Sequence, residues 1–455
     1  MRILRPVAIS IAVLLVSAVV VFAGVRLREA RTSEPGIAAS SPSAAPVASA
    51  SPTASITVTP KTTKAPTATP TGTPTLPVPS VASPQRQTAP PPPAFAPCPI
   101  TLARSSPQPA PSGVVAIVPI AAGFNERISP DGQLLLSGAD PLFLYVLKTG
   151  NPSYVACLRG VGAQAAGWLP DSSGVVLGAA RSSGGRGVMI LGRDGRLTDT
   201  GLDDPPTGRD GIVMTSDGRW LGLLQGNALT VASIDGRTRR SVENIAWQGG
   251  FLSGWLDDQH LLYARSDTTG RLSYRLADRN GTSADVPVLT AKGLPFATLA
   301  APDGRGSALI SVGPSTPISA AVRAYDGTFA DLDIQMVFGW SGPHDLVARH
   351  GTELVIVDLS SGAMRTIATG LDPQLAFPLF YSARGPMPFG AAVGGGFVCW
   401  HNSGPALTVA ELATGRTGSI TGPSTVLGMT ADGRCVTTET LAGGYGLVDP
   451  RSLLH

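Results

Sequence analysis

The sequence predicts an all-β fold: a β-propeller of about eight four-stranded blades, with seven as the alternative count, preceded by one transmembrane helix and a disordered linker. Three observations lead there. Asp-Gly turns between apolar runs recur through the last three quarters of the chain, and such turns are a strong hairpin signal because Gly takes the positive φ they need. No stretch after Ser112 carries helical periodicity. Self-similarity at this period, with four short antiparallel strands in each unit, is the pattern of radially stacked blades.

Residues 1–6 read as a short cytoplasmic tail and residues 7–25 as the membrane helix. The run Val7 to Val25 holds nineteen residues without a charge, and at 1.5 Å per residue it would span roughly 28 Å, the thickness of a bilayer core. Arg2 and Arg5 precede it, and Arg26 and Arg28 follow it. Because all four cysteines come after the helix, the body is expected on the extracytoplasmic side of a cell membrane. The alternative is secretion after cleavage near Ala23, where Val21-Phe22-Ala23 offers small residues before Gly24.

Residues 26–112 form the linker. From Thr32 to about Pro111 it consists largely of Pro, Thr, Ser, Ala and Val, and about half of the 41 prolines lie in it. Too little apolar area and too many missing N–H donors leave such a segment extended and disordered. At about 3.1 Å per residue it could reach on the order of 200 Å, enough to hold a domain away from the membrane. The charge splits with the composition, +7 before Ser112 and −4 after it. A mildly acidic body has no basic field for phosphate, which excludes nucleic acid as a partner.

Residues 113–455 are the propeller. Its units open at Ile128-Ser-Pro-Asp131-Gly, Trp168-Leu-Pro-Asp171, Met214-Thr-Ser-Asp217-Gly, Trp255-Leu-Asp257, Ala300-Ala-Pro-Asp303-Gly and Met429-Thr-Ala-Asp432-Gly. The first five aspartates lie 40, 46, 40 and 46 residues apart. A weaker unit opens at Trp340, with His344 in place of the turn aspartate, and a degenerate one fits around Phe397. Second turns, such as Arg193-Asp194-Gly195-Arg196 and Ile234-Asp235-Gly236-Arg237, close the outer hairpins. The last unit has room for about three strands. Val114 to Ile120, which precedes the first unit, is therefore expected to supply its outer strand and remove an open sheet edge. Recurrence of Trp168, Trp255 and Trp340 at one repeat position, with Ile128, Met214 and Met429 substituting by bulk, points to packing between blades rather than to a ligand platform. Trp220, Trp247 and Trp400 fall off that register.

The unit W/M/I-x-P/S-D-G followed by an apolar strand resembles the WD-repeat-like blades of TolB-type propellers, which also occur in dipeptidyl-peptidase-like proteins. The resemblance covers residues 113–455 and implies the fold; the α/β hydrolase domain that propeller peptidases carry has no counterpart in this chain. Because one fold serves binding, catalysis and scaffolding alike, the resemblance implies no activity.

The four cysteines suggest two disulfides, Cys98 with Cys157 and Cys399 with Cys435, the second pair in equivalent strands of neighbouring blades. Buried free thiols are the alternative. No CxxC is present, and His260, His344, His350, His401 and His455 show no ligand spacing. Ser253 in GFLSG and Ser341 in GWSGP do not fit G-x-S-x-G. Asp203, Asp204, Asp331 and Asp333 lack the alternating ligands of a calcium loop. No catalytic residue, metal ligand or cofactor is thus expected. The reading is a membrane-tethered, non-catalytic binding or scaffold domain for an envelope protein or glycan. The alternative, a propeller lyase or hydrolase, needs two or more acids or a cation site converging at the central channel.

Overall fold

The computed structural model describes residues 114–118 and most of 127–454. The apolar run Val7 to Val25, the proline-rich tract, Cys98, Trp247 and His455 lie outside the described residues. Among those described, no helix is long and apolar enough to cross a membrane.

Eight four-stranded antiparallel sheets follow one another: residues 127–158, 164–203, 212–244, 251–285, 296–332, 336–369, 391–421, and 425–448 joined by Val114–Val118. They are blades 1 to 8. Each opens with its innermost strand, and neighbouring inner strands pack side by side around the ring. The degenerate unit at Phe397 is a full blade, which decides the count for eight over seven. Strand Val114–Val118 pairs with Gly444–Val448 as the outer strand of blade 8, with Val118 opposite Tyr445 and Ala116 opposite Leu447. The ring is closed by its own amino-terminal end.

The buried apolar side chains fall into eight clusters, one for each seam between neighbouring blades. A blade has two apolar faces and buries each against a neighbour, which is why a strand such as Glu353–Asp358 keeps Leu354, Val355 and Val357 all inside. Trp168 and Trp255 are 4% and 2% exposed. Each indole N–H donates to a carbonyl on the inner strand of the preceding blade, Trp168 to Arg127 O at 3.2 Å and Trp255 to Val213 O at 3.3 Å. Trp340 packs half-buried into the cluster between blades 5 and 6. Off the register, Trp400 meets Phe338 edge to face and Trp220 lies under the Arg279 guanidinium.

A bulge just before the tryptophan position sets how closely inner strands approach. The ladders of blades 2, 4, 6 and 8 shift register at Gly167, Gly254, Gly339 and Gly428. Gly254 and Gly339 have φ of 132° and 144°, and a Cβ on Gly254 would lie 2.9 Å from Thr298 Cβ of the next blade. Glycine is required there by both conformation and space.

Two elements depart from the expected pattern. A short helix, Pro287–Lys292, lies between blades 4 and 5, with Pro at its start, a left-handed Gly293 after it and Leu289 buried in the seam. Six residues are too few to show periodicity, although the Pro and Gly are the usual terminal signals. The second is a two-stranded hairpin, Leu379–Ser382 paired with Gly385–Pro388, inserted between blades 6 and 7 and joined to no blade sheet.

Cys399 and Cys435 form a disulfide with Cα atoms 6.3 Å apart, linking the second strands of blades 7 and 8. Cys157, on the outer strand of blade 1, is also disulfide-bonded. Replacing both Cys399 and Cys435 by Ser should lower the unfolding free energy by about 2–4 kcal/mol in denaturant titration, the usual range for a loop of this length. Deleting residues 114–118 should do more. It opens the edge of Gly444–Val448, so a melting temperature lower by more than about 10 °C and concentration-dependent association by light scattering are expected.

Candidate functional site

Strict antiparallel order puts the first and third turns of every blade at one end of the ring, and the second turns and blade-to-blade connections at the other. The two ends differ in chemistry.

The turn end is locked by local hydrogen bonds. In blade 1, Ser129 Oγ donates to Asp131 Oδ1 at 2.6 Å and accepts the Leu134 N–H at 2.9 Å, while Asp131 Oδ1 also accepts the Gln133 N–H. Thr215 and Asp217 repeat this in blade 3, Thr430 and Asp432 in blade 8, and Ser233 and Asp235 in an outer hairpin. The carboxylates of Asp171, Asp257 and Asp303 each accept the N–H two residues on. Burial works against the Asp131 charge, but hydrogen bonds from Ser129, Arg193 and Gln133 hold its carboxyl below the usual range. Neighbouring turns are linked in turn. The Asp131 N–H donates to Ser172 Oγ of blade 2, the Asp258 N–H to Gly304 O of blade 5, and the Asp303 N–H to Pro343 O of blade 6. Ser172 stands where other units have Gly, with φ of 61°, and its hydroxyl makes the cross-blade bond.

A cleft of about 390 Å³ opens at this end on the seam between blades 8 and 1, lined by Asp131, Gln133, Leu147, Thr430, Asp432 and Arg434 among others. Arg193 of blade 2 reaches back to Asp131 and Gln133 of blade 1, whereas the corresponding position of blade 1 is Leu147, as the matching bonds from Leu147 N to Gln133 O and Arg193 N to Ser173 O show. Asp432 pairs instead with Arg434 of its own turn at 3.1 Å.

The channel is walled by the eight inner strands: Arg127–Ile128, Gln164–Trp168, Ile212–Met214, Phe251–Trp255, Phe296–Ala300, Met336–Trp340, Ala391–Gly394 and Thr425–Met429. Arg127 is the one charged residue in them. The hairpin Leu379–Ser382/Gly385–Pro388 crosses this space: its first strand lies near the inner strand of blade 2, and its second against those of blades 4, 5 and 6. In an eight-membered ring, blades 2 and 6 face each other, so the hairpin spans the channel.

Ionisable side chains gather between and within blades instead. Glu243 of blade 3 accepts from Tyr263 Oη, from Arg265 Nη1 at 3.0 Å and from Arg275 Nη1 at 2.8 Å, all of blade 4. Burial opposes its charge, yet Tyr263 and the two guanidiniums hold the carboxyl below the usual range, while burial and Glu243 push Tyr263 up to about 12. In blade 2, Arg181 pairs with Asp199 and Asp203, and Arg186 with Asp204, whose carboxyl is nevertheless raised by burial. His260, His344 and His350 lie beside Asp257, Asp303 and Asp333 respectively. Among the described residues, no group of three or more His, Cys, Asp or Glu side chains could hold a metal ion.

Sequence reasoning located the turn aspartates and the tryptophans; the structure brings Asp131 and Asp432 to the cleft between blades 8 and 1 and places the tryptophans in the seams. It missed the channel hairpin and the arginine links between blades. The one available sign of the hairpin was the 21-residue spacing between the strand ending at Thr369 and that starting at Ala391.

No family model and no curated protein matches the chain. Solved structures do. Sqt1 of Saccharomyces cerevisiae is 12% identical with a TM-score of 0.47, covering 75% of this chain and 99% of that one. An oligogalacturonate lyase in complex with manganese is 14% identical with a TM-score of 0.38 over 63% and 88% of the two chains. A TolB-like protein of Agrobacterium tumefaciens is 17% identical with a TM-score of 0.30 over 54% and 79%. The neighbours include WD-repeat-like and TolB-like propellers. At such identities and TM-scores they carry no argument about what this chain does.

Asp258 gives a test of the links between turns. Its Oδ1 accepts the Ser216 N–H at 2.8 Å and Ser216 Oγ–H at 2.7 Å across the seam. Burial raises its carboxyl, the Ser216 bonds oppose this, and the charge of Asp217 adds to it. A carboxyl raised on folding binds its proton more tightly in the folded state, so stability falls as pH rises through that range. Relative to Asp258→Asn, the unaltered chain should therefore gain melting temperature as pH drops from about 7 to about 4, and a pH series of melting curves for the two proteins checks it.

Proposed function

We propose that this chain is a membrane-tethered, extracytoplasmic binding domain without catalytic activity, and that its ligand is a protein or glycan of the cell envelope. The observation that carries the reading is the channel. A propeller enzyme gathers its acids or its cation where the blades converge; here the eight inner strands contribute a single charged residue and the chain's own hairpin crosses between them. The turn end is committed to internal hydrogen bonds. What is left for recognition is the opposite end, where segments such as Arg181–Gly185, Asp267–Arg271 and Val286–Pro295 connect strands without belonging to a blade ladder. Loops held on a rigid ring suit recognition.

Two features support the placement. The uncharged run Val7 to Val25 has the length of a membrane helix, and disulfides at Cys157 and between Cys399 and Cys435 suit an oxidising compartment. The proline-rich tract between them serves as a stalk.

In fractionated cells the full chain should stay in the membrane pellet through alkaline carbonate and be released by detergent. A mature chain starting near Gly24 in the medium would overturn tethering. Detergent-solubilised full chain should recover a reproducible envelope protein or glycan, and replacing residues 267–271 with a Gly-Ser segment, or making Val288→Asp with Ala291→Asp at exposed positions of the other connection, should reduce that recovery at least about tenfold, a loss of roughly 1.4 kcal/mol of binding. Unchanged recovery with both replacements would put the binding surface elsewhere.

A further inference from the structure

We propose that strand Thr417–Thr421, the outer edge of blade 7, is a self-association surface: a second copy of this chain adds its own Thr417–Thr421 antiparallel to it, about a two-fold axis at Ser419, so that two blades become one sheet. The inference concerns the outside of the ring and holds whether or not the chain binds an envelope ligand.

Every blade ends on an outer strand whose far edge pairs with no other strand among the described residues, and such an edge invites another strand unless a charge or a bulge spoils the fit. Seven of the eight outer strands carry one or both. Charges stand in Leu197–Asp203, Arg239–Asn244, Ser283–Asp285, Thr328–Leu332 and Met364–Thr369. Val114–Val118 and Ser153–Leu158 are uncharged, but each meets its neighbour with a register shift. Thr417–Thr421 reads TGSIT, has no charge, and pairs with Ala406–Glu411 without a shift.

The Glu411 N–H donates to Arg416 O where this hairpin closes. Alternation along the unshifted ladder then turns the N–H and C=O groups of Thr417, Ser419 and Thr421 outward, and all three residues are exposed. The residues between them are held from behind. Ile420 packs against the cluster between blades 7 and 8, and a Cβ on Gly418 would lie 2.1 Å from Leu453 O. The edge is thus fixed in extended form before anything binds, and adding a strand orders little on this side.

The same devices select the occupant. The seven defended edges of another copy would bring a bulge or an unmatched charge against TGSIT, whereas its own Thr417–Thr421 brings neither. Centred on Ser419, the antiparallel match puts Ser419 opposite Ser419 of the second copy and Thr417 opposite Thr421, each such pair exchanging two backbone hydrogen bonds. Their hydroxyl side chains then face one another, a pairing that stabilises neighbouring strands. Identical residues meeting across an axis make an isologous contact, which closes as a two-fold dimer and leaves no edge of this kind to propagate.

The test is made on the full chain. With a short bismaleimide, Ser419→Cys should cross-link to a covalent dimer at least about tenfold more than Thr366→Cys, which is exposed on the charged, register-shifted outer strand of blade 6. Sedimentation of the detergent-solubilised chain should show a monomer–dimer equilibrium that Ser419→Thr keeps and Ser419→Lys weakens at least about tenfold, because two lysines then face each other across the axis. Melting of these variants should match that of the unaltered chain, since both positions are exposed. Cross-linking of Ser419→Cys no greater than that of Thr366→Cys, or a dimer indifferent to Ser419→Lys, overturns the proposal; should Ser419→Lys fail to fold, the cross-linking decides alone. Deleting residues 53–59, TASITVT, tests for an occupant from the chain itself. Unchanged cross-linking at position 419 supports the second copy, whereas cross-linking that appears only after the deletion gives the edge to the chain's own tract and overturns it.

Discussion

Each of these sheets has two apolar faces, and a four-stranded sheet can bury both only if another sheet stands on either side. That constraint admits an open stack with two bare ends or a ring with none, and a ring exposes no apolar face at a terminus. Everything else follows from closing it. The clusters lie at the seams and not at a common centre, because each blade touches its two neighbours and little else. Closure demands that the eighth blade be completed by residues separated from its other strands by the whole ring, and Val114–Val118 does this. At the adjacent seam, blades 8 and 1 share the smallest described cluster, Leu135, Tyr145 and Tyr445. The disulfide on the other side of blade 8, Cys399 to Cys435, fixes that composite blade to blade 7.

Crowding at the centre is the second consequence. Eight inner strands converge, and side chains between them must be small where backbones approach and large where wedges diverge. The Gly-Trp pairs at 254–255 and 339–340 meet both needs within two residues: the glycine admits the next blade's inner strand at the bulge, and the tryptophan fills the seam with the preceding blade, as Trp168 does in blade 2. In blade 8 Met429 takes the indole's place after Gly428.

The parts of this architecture legible in the sequence are those whose chemistry is local. Asp131, Asp217 and Asp432 announce turns because an Asp two residues after Ser or Thr, followed by Gly, closes a hydrogen-bonded loop within six residues. Ring closure was legible as well, since a final unit short of a strand and a spare strand at the start are facts of counting. The degenerate seventh blade was legible only as a gap of the right length, because its first turn is Gly395-Gly396, without the aspartate. What could not be read depends on distance along the chain. Nothing near Arg193 indicates that it serves Asp131, 62 residues away, and nothing in LFYSARGPMP says that it runs through a channel and not over a surface. Glu243 with Tyr263 and Arg275 is invisible for the same reason: its members join only once blades 3 and 4 are side by side.

These divisions of labour limit where specificity can reside. A carboxylate that accepts two backbone or hydroxyl hydrogens in its own turn has about half of its acceptor sites committed to the fold, and hydrogen bonds hold Asp171 and Asp235 below the usual carboxylate range just as they do Asp131. The turn end is thus acidic in composition, with its carboxylates tied into their own turns through one oxygen. Half-buried charges such as Glu243 are paired across seams, so disturbing them for a ligand would disturb the ring. The channel wall has almost no charge to offer. In a binding domain, discrimination by charge or by directed hydrogen bonds would fall to the exposed residues of the connections at the opposite end, although Val286, Leu289 and Leu294 of one of them serve the seam between blades 4 and 5.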